Sequence, residues 1–306
     1  MTTAAPARTP APARRWRPRA LTGGRATGLI PAVVPAVFVV VAFLVPLAGL
    51  LVLSLRPTDS LNIPLDGFTL DQYRQVLTTP YLSGSLTESL SLAVRVSLTC
   101  LVLAFPVAWY LARTPSGWRK TVVFTITLSP LLTSEVVRSF GWRVVMSGEG
   151  PVNRTLQALG LIDASLPLLR SPWTVFLAVV HVLLPFAIIA LTASLKGIDD
   201  AVLRASADLG AGAVRTFRSV VLPLATPGLV AGGVIVFSLA MGIYVTPLLV
   251  GGANQPLAGL RVRDEALVTF NQPRAAALSF VLLIVTLAVV GIATALSRLA
   301  DRSNRG

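Results

Sequence analysis

The sequence contains few of the residues on which covalent cross-linking and acid–base catalysis depend. Its 306 residues include one cysteine, Cys100, and one histidine, His181. A single cysteine excludes an intrachain disulfide, and no cysteine–histidine spacing indicates a zinc site. Neither a phosphate-binding loop nor an H-E-x-x-H pair is present. We therefore expect a protein that is not an enzyme and that has no catalytic site, metal or cofactor of its own.

Charge is also scarce, and it is biased in sign. Only 13% of the residues are charged, whereas 54% are hydrophobic, and the mean hydropathy is +0.76. Soluble domains contain about 25% charged residues. The chain has 26 Lys and Arg against 13 Asp and Glu, a formal net charge of +13. Because long apolar runs accompany this charge, we expect a multi-pass protein in contact with the lipid bilayer and no nucleic-acid binding.

The apolar residues are concentrated in runs long enough to cross a bilayer. About 20 apolar helical residues span the roughly 30 Å hydrocarbon core. The predicted spans are residues 29–55, 89–112, 121–146, 172–194, 228–250 and 275–297. Gly228 and Gly232 in the fifth span are four residues apart, which allows close helix packing. The expected fold class is all-α, a polytopic membrane protein with about six transmembrane helices.

Basic residues mark one side of the predicted membrane. Residues 1–26 are rich in Ala, Pro and Arg and contain no acid, so we expect a disordered basic tail. The positive-inside rule places this tail and residues 298–306 in the cytoplasm. The exception is the last outer loop, residues 251–274, in which Arg261, Arg263 and Arg274 outnumber Asp264 and Glu265.

The longest polar stretch between two spans is residues 196–227. Asp199 and Asp200 stand where a helix would begin, and apolar residues then recur at helical spacing. Gly210 interrupts this pattern, and a second helical pattern follows and ends at Pro223. The stretch therefore predicts a helix–turn–helix on the cytoplasmic membrane surface, with Gly210 at a positive φ.

The spacing within this stretch resembles the EAA signature of the membrane subunits of binding-protein-dependent ABC importers. That signature reads E-A-A, three residues, G, nine residues and I-x-L-P. The corresponding residues are Arg204-Ala205-Ser206, Gly210 and Val220-Val221-Leu222-Pro223, and Asp208-Leu209-Gly210-Ala211 matches the common D-L-G-A form. Two positions depart from the family pattern: Arg204 reverses the charge of the family's acidic residue, and Ser206 replaces its second alanine.

The resemblance implies a permease of type I, MetI-like fold over residues 66–297, preceded by a first transmembrane helix within 27–65. It implies that residues 196–227 contain a cytoplasmic coupling helix between spans 4 and 5 that docks on a separate ATPase dimer, which binds ATP. For this chain the resemblance further implies two partners: a second permease, or a second copy of this chain, and an external (periplasmic) solute-binding protein. The implied location is the bacterial cytoplasmic (inner) membrane. The implied ATPase-coupling residues are Arg204, Ala205, Ser206, Asp208, Gly210, Ala211, Leu222 and Pro223.

Shorter segments resemble the spermidine/putrescine-type permeases. Residues 68–73 resemble F-T-L-x-N-Y, residues 137–142 resemble I-R-x-x-x-W, and residues 271–273 stand where N-W-P is frequent. The resemblance implies a polyamine substrate, although permeases for iron, sulfate, thiamine or phosphonates share parts of these segments.

Carboxylates and aromatic faces attract ammonium groups. The predicted substrate-path residues are Glu135, Arg138, Trp142, Tyr244 and Asn271. Glu135 and Arg138, three residues apart on a helix, can instead pair with each other.

Other functional classes remain as alternatives. A self-contained secondary transporter or channel would need intramembrane charge relays or paired repeats, and we find no convincing internal repeat. A membrane enzyme would need a nucleophile or a metal cluster. His181 could relay protons, but we favour a neutral histidine packed between helices.

Overall fold

The computed structural model describes residues 30–251 and 255–303. The predicted tail, residues 1–26, lies outside this part of the chain. The described residues are largely helical, with a single isolated β-bridge between Thr58 and Pro64. The predicted all-α class is therefore confirmed.

The first helix, α1 (Ile30–Ser54), forms the first predicted span. Its most apolar part, Val37–Ser54, is long enough to cross a membrane. The chain divides into two units, Met1–Gly49 and Leu50–Gly306, and α1 crosses the boundary between them.

The described part of the second unit contains eleven further α-helices and two π-helical segments. The helices are α2 (Asp71–Thr78), α3 (Pro80–Arg113), α4 (Trp118–Leu132), α5 (Glu135–Val145), α6 (Pro151–Ala158), α7 (Pro172–Lys196), α8 (Asp200–Asp208), α9 (Ala213–Thr216), α10 (Leu222–Met241), α11 (Ala258–Leu267) and α12 (Gln272–Ser303). The π-helical segments are Phe217–Val221 and Pro247–Gly251. The last helix extends into the predicted tail, residues 298–306, so the tail's described part is helical.

Helices α3, α7 and α10 pack against one another and form the core of this unit. One face of α3 carries small or branched side chains at spacings of three or four residues, which lets the neighbouring helices approach closely. The fully buried members of this face are Ala93, Val96, Cys100, Ala104 and Ala108.

Glycines allow α10 to lie directly against α7. A Cβ on Gly228 would lie 2.3 Å from the Cβ of Ser194, and a Cβ on Gly232 would lie 3.4 Å from that of Ala190. The first distance is too short for any side chain, so the close packing predicted from these glycines is confirmed.

The third span is broken, and the prediction of one helix over residues 121–146 was wrong. Helices α4 and α5 meet at an angle of 103°. Pro130 has no N–H for helical bonding, and Thr133 leaves the helix with an extended backbone. Glu135 then begins α5, where the helix dipole favours a carboxylate. Five helices of the described chain are individually long and apolar enough to cross a membrane, or six spans if the bent pair counts as one.

The fifth span begins earlier than the predicted residues 228–250 and ends at Met241. It runs over Ala213–Met241, so the prediction that Pro223 ends a helix was wrong. The N–H of Leu222 donates to the carbonyl of Phe217, five residues back, in a π-helical turn. Pro223 follows within the first turn of α10, where a missing N–H is tolerated.

The predicted outer loop of residues 251–274 contains α11, which packs against α3 and α12. Its charges are paired within the protein. Asp264 accepts from Arg263 at 2.7 Å and lies 3.5 Å from Arg261, and Glu265 lies 3.5 Å from Arg274. Each of these three arginines therefore lies close to an acid within the same segment.

Candidate functional site

The predicted helix–turn–helix is present at the end of the second unit where α3 and α7 terminate. Its two helices, α8 and α9, are short. Asp199 caps α8, because its carboxylate accepts a hydrogen bond from the N–H of Ala201 at 2.8 Å. Gly210 has φ +77° and reverses the chain before α9 begins at Ala213. The predicted cap and the predicted positive φ are both confirmed. We call residues 199–216 the α8–α9 hairpin.

Hydrogen bonds between its arms close this hairpin. The hydroxyl groups of Ser206 and Thr216 are 2.9 Å apart, and the N–H of Ala211 donates to the carbonyl of Ser206 at 3.1 Å. Ser206 is buried. The serine that departs from the family pattern thus has a partner of matching chemistry on the opposite arm.

The outward side of the hairpin carries several of the predicted coupling residues. Arg204, Ala205, Asp208 and Gly210 are exposed, and Leu209 at the tip is 87% exposed. Ala211 is half-buried in the turn. The structure places Leu222 and Pro223 elsewhere, in the first turn of α10, beyond the π-helical segment. The hairpin therefore presents one compact exposed surface, to which the last two predicted residues do not belong.

Two neighbouring cavities surround the break between α4 and α5. Their volumes are about 420 Å³ and 370 Å³, and both are lined by Pro130, Thr133 and Arg138. Four of the five predicted substrate-path residues line one or both of these cavities: Glu135, Arg138, Trp142 and Tyr244. We call the two together the break cavity.

The alternative in which Glu135 pairs with Arg138 is not found. Among the described residues, no salt bridge joins them. The carboxylate of Glu135 accepts a hydrogen bond from the hydroxyl of Thr246 at 3.0 Å. The guanidinium of Arg138 donates to the carbonyl of Pro130, across the helix break. Arg138 thereby satisfies a carbonyl near the end of α4, where the intrahelical partner is missing.

His181 lies beside these residues, which the sequence did not indicate. The indole N–H of Trp142 donates to Nδ1 of His181 at 3.3 Å, and the ring centroids are 5.8 Å apart in an edge-to-face arrangement. His181 on α7 contacts Trp142 on α5, so its position agrees with the expected histidine packed between helices. It is nevertheless exposed, and it lines the break cavity. The two residues are 39 positions apart, and no local pattern connects them.

Asn271 lies apart from the break cavity and is fully buried. Its amide donates to Oδ1 of Asn62 at 2.9 Å and its own Oδ1 accepts from the N–H of Arg274 at 3.0 Å. These contacts join the segment after α1 to the start of α12. The arrangement is that of a structural clamp, not of a residue facing a solute.

Comparison with known proteins places these features in one family. Residues 97–305 match the family described as the binding-protein-dependent transport system inner membrane component. The chain is 36% identical over 218 residues to the spermidine/putrescine transport system permease protein PotB of Salmonella typhimurium, covering 71% of this chain and 75% of that protein. The same identity relates it to PotB of Escherichia coli, of which 78% is covered.

A solved structure shares the fold. The crystal structure of a bacterial alginate ABC transporter, in complex with an alginate pentasaccharide-bound periplasmic protein, superposes with a TM-score of 0.75 at 18% identity. The match covers 90% of this chain and 96% of that one. The chain therefore belongs to the family of binding-protein-dependent transport system inner membrane components, and it is a multi-pass permease subunit of an ABC importer.

Proposed function

We propose that this permease forms one half of a translocation path for a polyamine such as spermidine or putrescine, delivered by an external binding protein. A second permease, or a second copy of the chain, supplies the other half in the bacterial inner membrane. An ATPase dimer docks on the α8–α9 hairpin, on the cytoplasmic side. The ATPase dimer, and not this chain, binds and hydrolyses ATP.

The observation that carries this proposal is the exposed, internally braced α8–α9 hairpin. Its Ser206–Thr216 hydroxyl pair holds the two arms together without help from another subunit. Its tip carries an almost fully exposed Leu209 directly after Asp208, and Arg204, one helical turn before Asp208, is also exposed. An exposed apolar tip with a polar surround is a suitable surface for a protein partner.

The polyamine class is supported by the relatives named above and by the break cavity. Glu135 offers a carboxylate, and Trp142 and Tyr244 offer aromatic rings, all of which attract ammonium groups. Arg138 donates to the carbonyl of Pro130 and leaves the carboxylate of Glu135 without a salt bridge to it. Its positive charge also lines the break cavity and opposes a cationic solute. The alternatives are other small solutes: iron, sulfate, thiamine or phosphonates.

A substitution at the hairpin turn tests the coupling role. Gly210 has φ +77°, whereas proline is restricted to φ of about −65°. We expect Gly210→Pro to abolish ATP-dependent uptake while the protein still inserts into the membrane. Gly212→Ala is the matched control, because Gly212 has φ −66° and a Cβ there would meet nothing within 4 Å. Normal uptake by Gly210→Pro would contradict the proposal.

The substrate is tested separately, on the external binding protein that works with this permease. We expect titration calorimetry to show tighter binding of spermidine or putrescine than of sulfate, thiamine, phosphonate or ferric iron. Preference for one of these competitors would reject the polyamine class and leave the coupling role intact.

A further inference from the structure

The α8–α9 hairpin is joined to α3 by a polar contact at the last residue of that helix. Nη1 of Arg113 donates to the carbonyl of Ile198 at 3.0 Å and to a carboxylate oxygen of Asp200 at 2.5 Å. Ile198 and Asp200 follow Arg113 in the sequence by 85 and 87 positions, respectively. One guanidinium therefore holds both the link before α8 and its first residue.

A second contact joins α3 to the π-helical segment that directly follows the hairpin. Phe105 and Phe217 pack edge to face, with ring centroids 5.2 Å apart. Trp109 lies between these two contacts on α3, and the guanidinium of Arg113 stacks 5.0 Å from the centre of its ring. Phe105, Trp109 and Arg113 are spaced by four residues and so lie along the same side of α3.

The hairpin has few other attachments to the core. Ser206 is the only buried residue of α8, and its partner Thr216 belongs to the hairpin itself. Leu203 is the one side chain of α8 that packs, half-buried, against the hydrophobic core. Ile198, two residues before α8, is buried in the core, and Arg113 adds a polar contact from α3, the longest helix of the described core, to the first residue of α8.

We propose that Arg113 is a positioning residue that fixes the start of α8 to α3, so that displacement of the hairpin moves α3 with it. This role rests on the proposed function, in which an ATPase displaces the hairpin. The side chain of Arg113 is 19% exposed, but that of Asp200 is 66% exposed. Because ion pairs with such an exposed partner contribute little to folding stability, we expect a variant without this contact to fold and to assemble.

The test uses the assembled importer in proteoliposomes, with its ATPase, its partner permease and its binding protein. ATP hydrolysis and solute uptake are measured together, and the readout is uptake per ATP hydrolysed. We expect Arg113→Ala to retain the ATPase and to hydrolyse ATP, but to lose uptake per ATP by about tenfold, within the usual range for coupling between sites. A merely structural role would reduce assembly, hydrolysis and uptake in proportion.

Three further variants make the result specific. Arg113→Lys keeps a positively charged nitrogen with N–H donors and is expected to recover part of the lost uptake per ATP. Asp200→Ala removes the acceptor on α8 but keeps the bond to Ile198, and it is expected to cause a smaller loss than Arg113→Ala. Arg119→Ala is the matched control, because Arg119 is a nearby exposed arginine that also lies over a tryptophan, Trp118, at 5.6 Å. We expect it to behave as wild type.

Wild-type uptake per ATP in Arg113→Ala would overturn the proposal. If that variant does not assemble, Asp200→Ala decides, because it removes the acceptor of Arg113 on α8, and wild-type coupling in Asp200→Ala would overturn the proposal. Failure of the proposed function has a different signature: the wild-type chain itself would neither retain an ATPase nor support ATP-dependent uptake.

Discussion

Glu135 shows how the partner of a single residue can differ from the one that its spacing favours. A carboxylate three residues before an arginine is well placed for an ion pair on a regular helix. Here Glu135 opens α5, and its carboxylate contacts Thr246, 111 residues away. Only one of its oxygens accepts this bond. The other is directed to no hydrogen-bond donor among the described residues and is available to a solute ammonium group.

At the residue scale we expect Glu135→Gln to reduce polyamine uptake by about tenfold or more, because a hydrogen bond to a charged group contributes about 1.5–3 kcal/mol. The measurement is the initial rate of labelled spermidine uptake at concentrations well below KM. Glu149→Gln is the control, since Glu149 is 88% exposed and lies 3.8 Å from Arg154, outside the break cavity. If Glu135→Gln takes up spermidine as fast as Glu149→Gln does, Glu135 does not belong to the substrate path.

At the scale of elements, the packing of α10 on α7 depends on the absence of a side chain. Gly228 approaches Ser194 so closely that a Cβ would overlap the serine side chain. The same glycine in a soluble helix would lower stability. Between two membrane helices it removes a steric barrier, and close backbone packing is a main source of association there.

We expect Gly228→Val to destabilise the folded protein by about 1–3 kcal/mol, the usual cost of overpacking. Gly291→Val is the matched control, because Gly291 is also within a membrane helix and a Cβ there would meet nothing within 4 Å. Thermal unfolding of the purified protein in detergent measures the difference. Equal stability of the two variants would show that α10 can shift without cost.

The break between α4 and α5 was only partly predictable from the sequence. Pro130 and the Ser134-Glu135 pair are recognisable stop and start signals. Hydropathy nevertheless continues through them, because a broken span is as apolar as a straight one. The break is stabilised by the contact of Arg138 with the Pro130 carbonyl, which satisfies a polar group within the apolar span.

At the scale of the whole molecule, the expected orientation rests on charge bias. Cysteine labelling can test it, since Cys100 is buried and Cys100→Ala offers a cysteine-free background. In that background Leu209→Cys and Leu161→Cys introduce thiols at positions that are 87% and 66% exposed.

We expect a membrane-impermeant maleimide to label Leu209→Cys only in inverted vesicles and Leu161→Cys only in right-side-out cells, because the basic segments belong to the cytoplasmic side. The unsubstituted Cys100→Ala protein controls for background labelling. Labelling of Leu209→Cys from outside would reverse the orientation and with it the side on which an ATPase can dock.

Local chemistry made much of the organisation predictable. The membrane spans follow from apolar length, the hairpin turn from the need of Gly210 for positive φ, and the start of α8 from the capping carboxylate of Asp199. The ends of the spans were less predictable. A π-helical turn before Pro223 lets a helix continue where proline normally ends one.

The sequence by itself determined the class, the approximate number of spans and the family, because hydropathy, glycine conformation and motif spacing are local properties. Tertiary structure alone decided which polar groups meet. His181 with Trp142, Glu135 with Thr246 and Arg113 with Asp200 are each brought together from distant positions. Such pairs depend on how the helices bend and pack, because each of them joins residues from different helices or segments that lie far apart in the sequence.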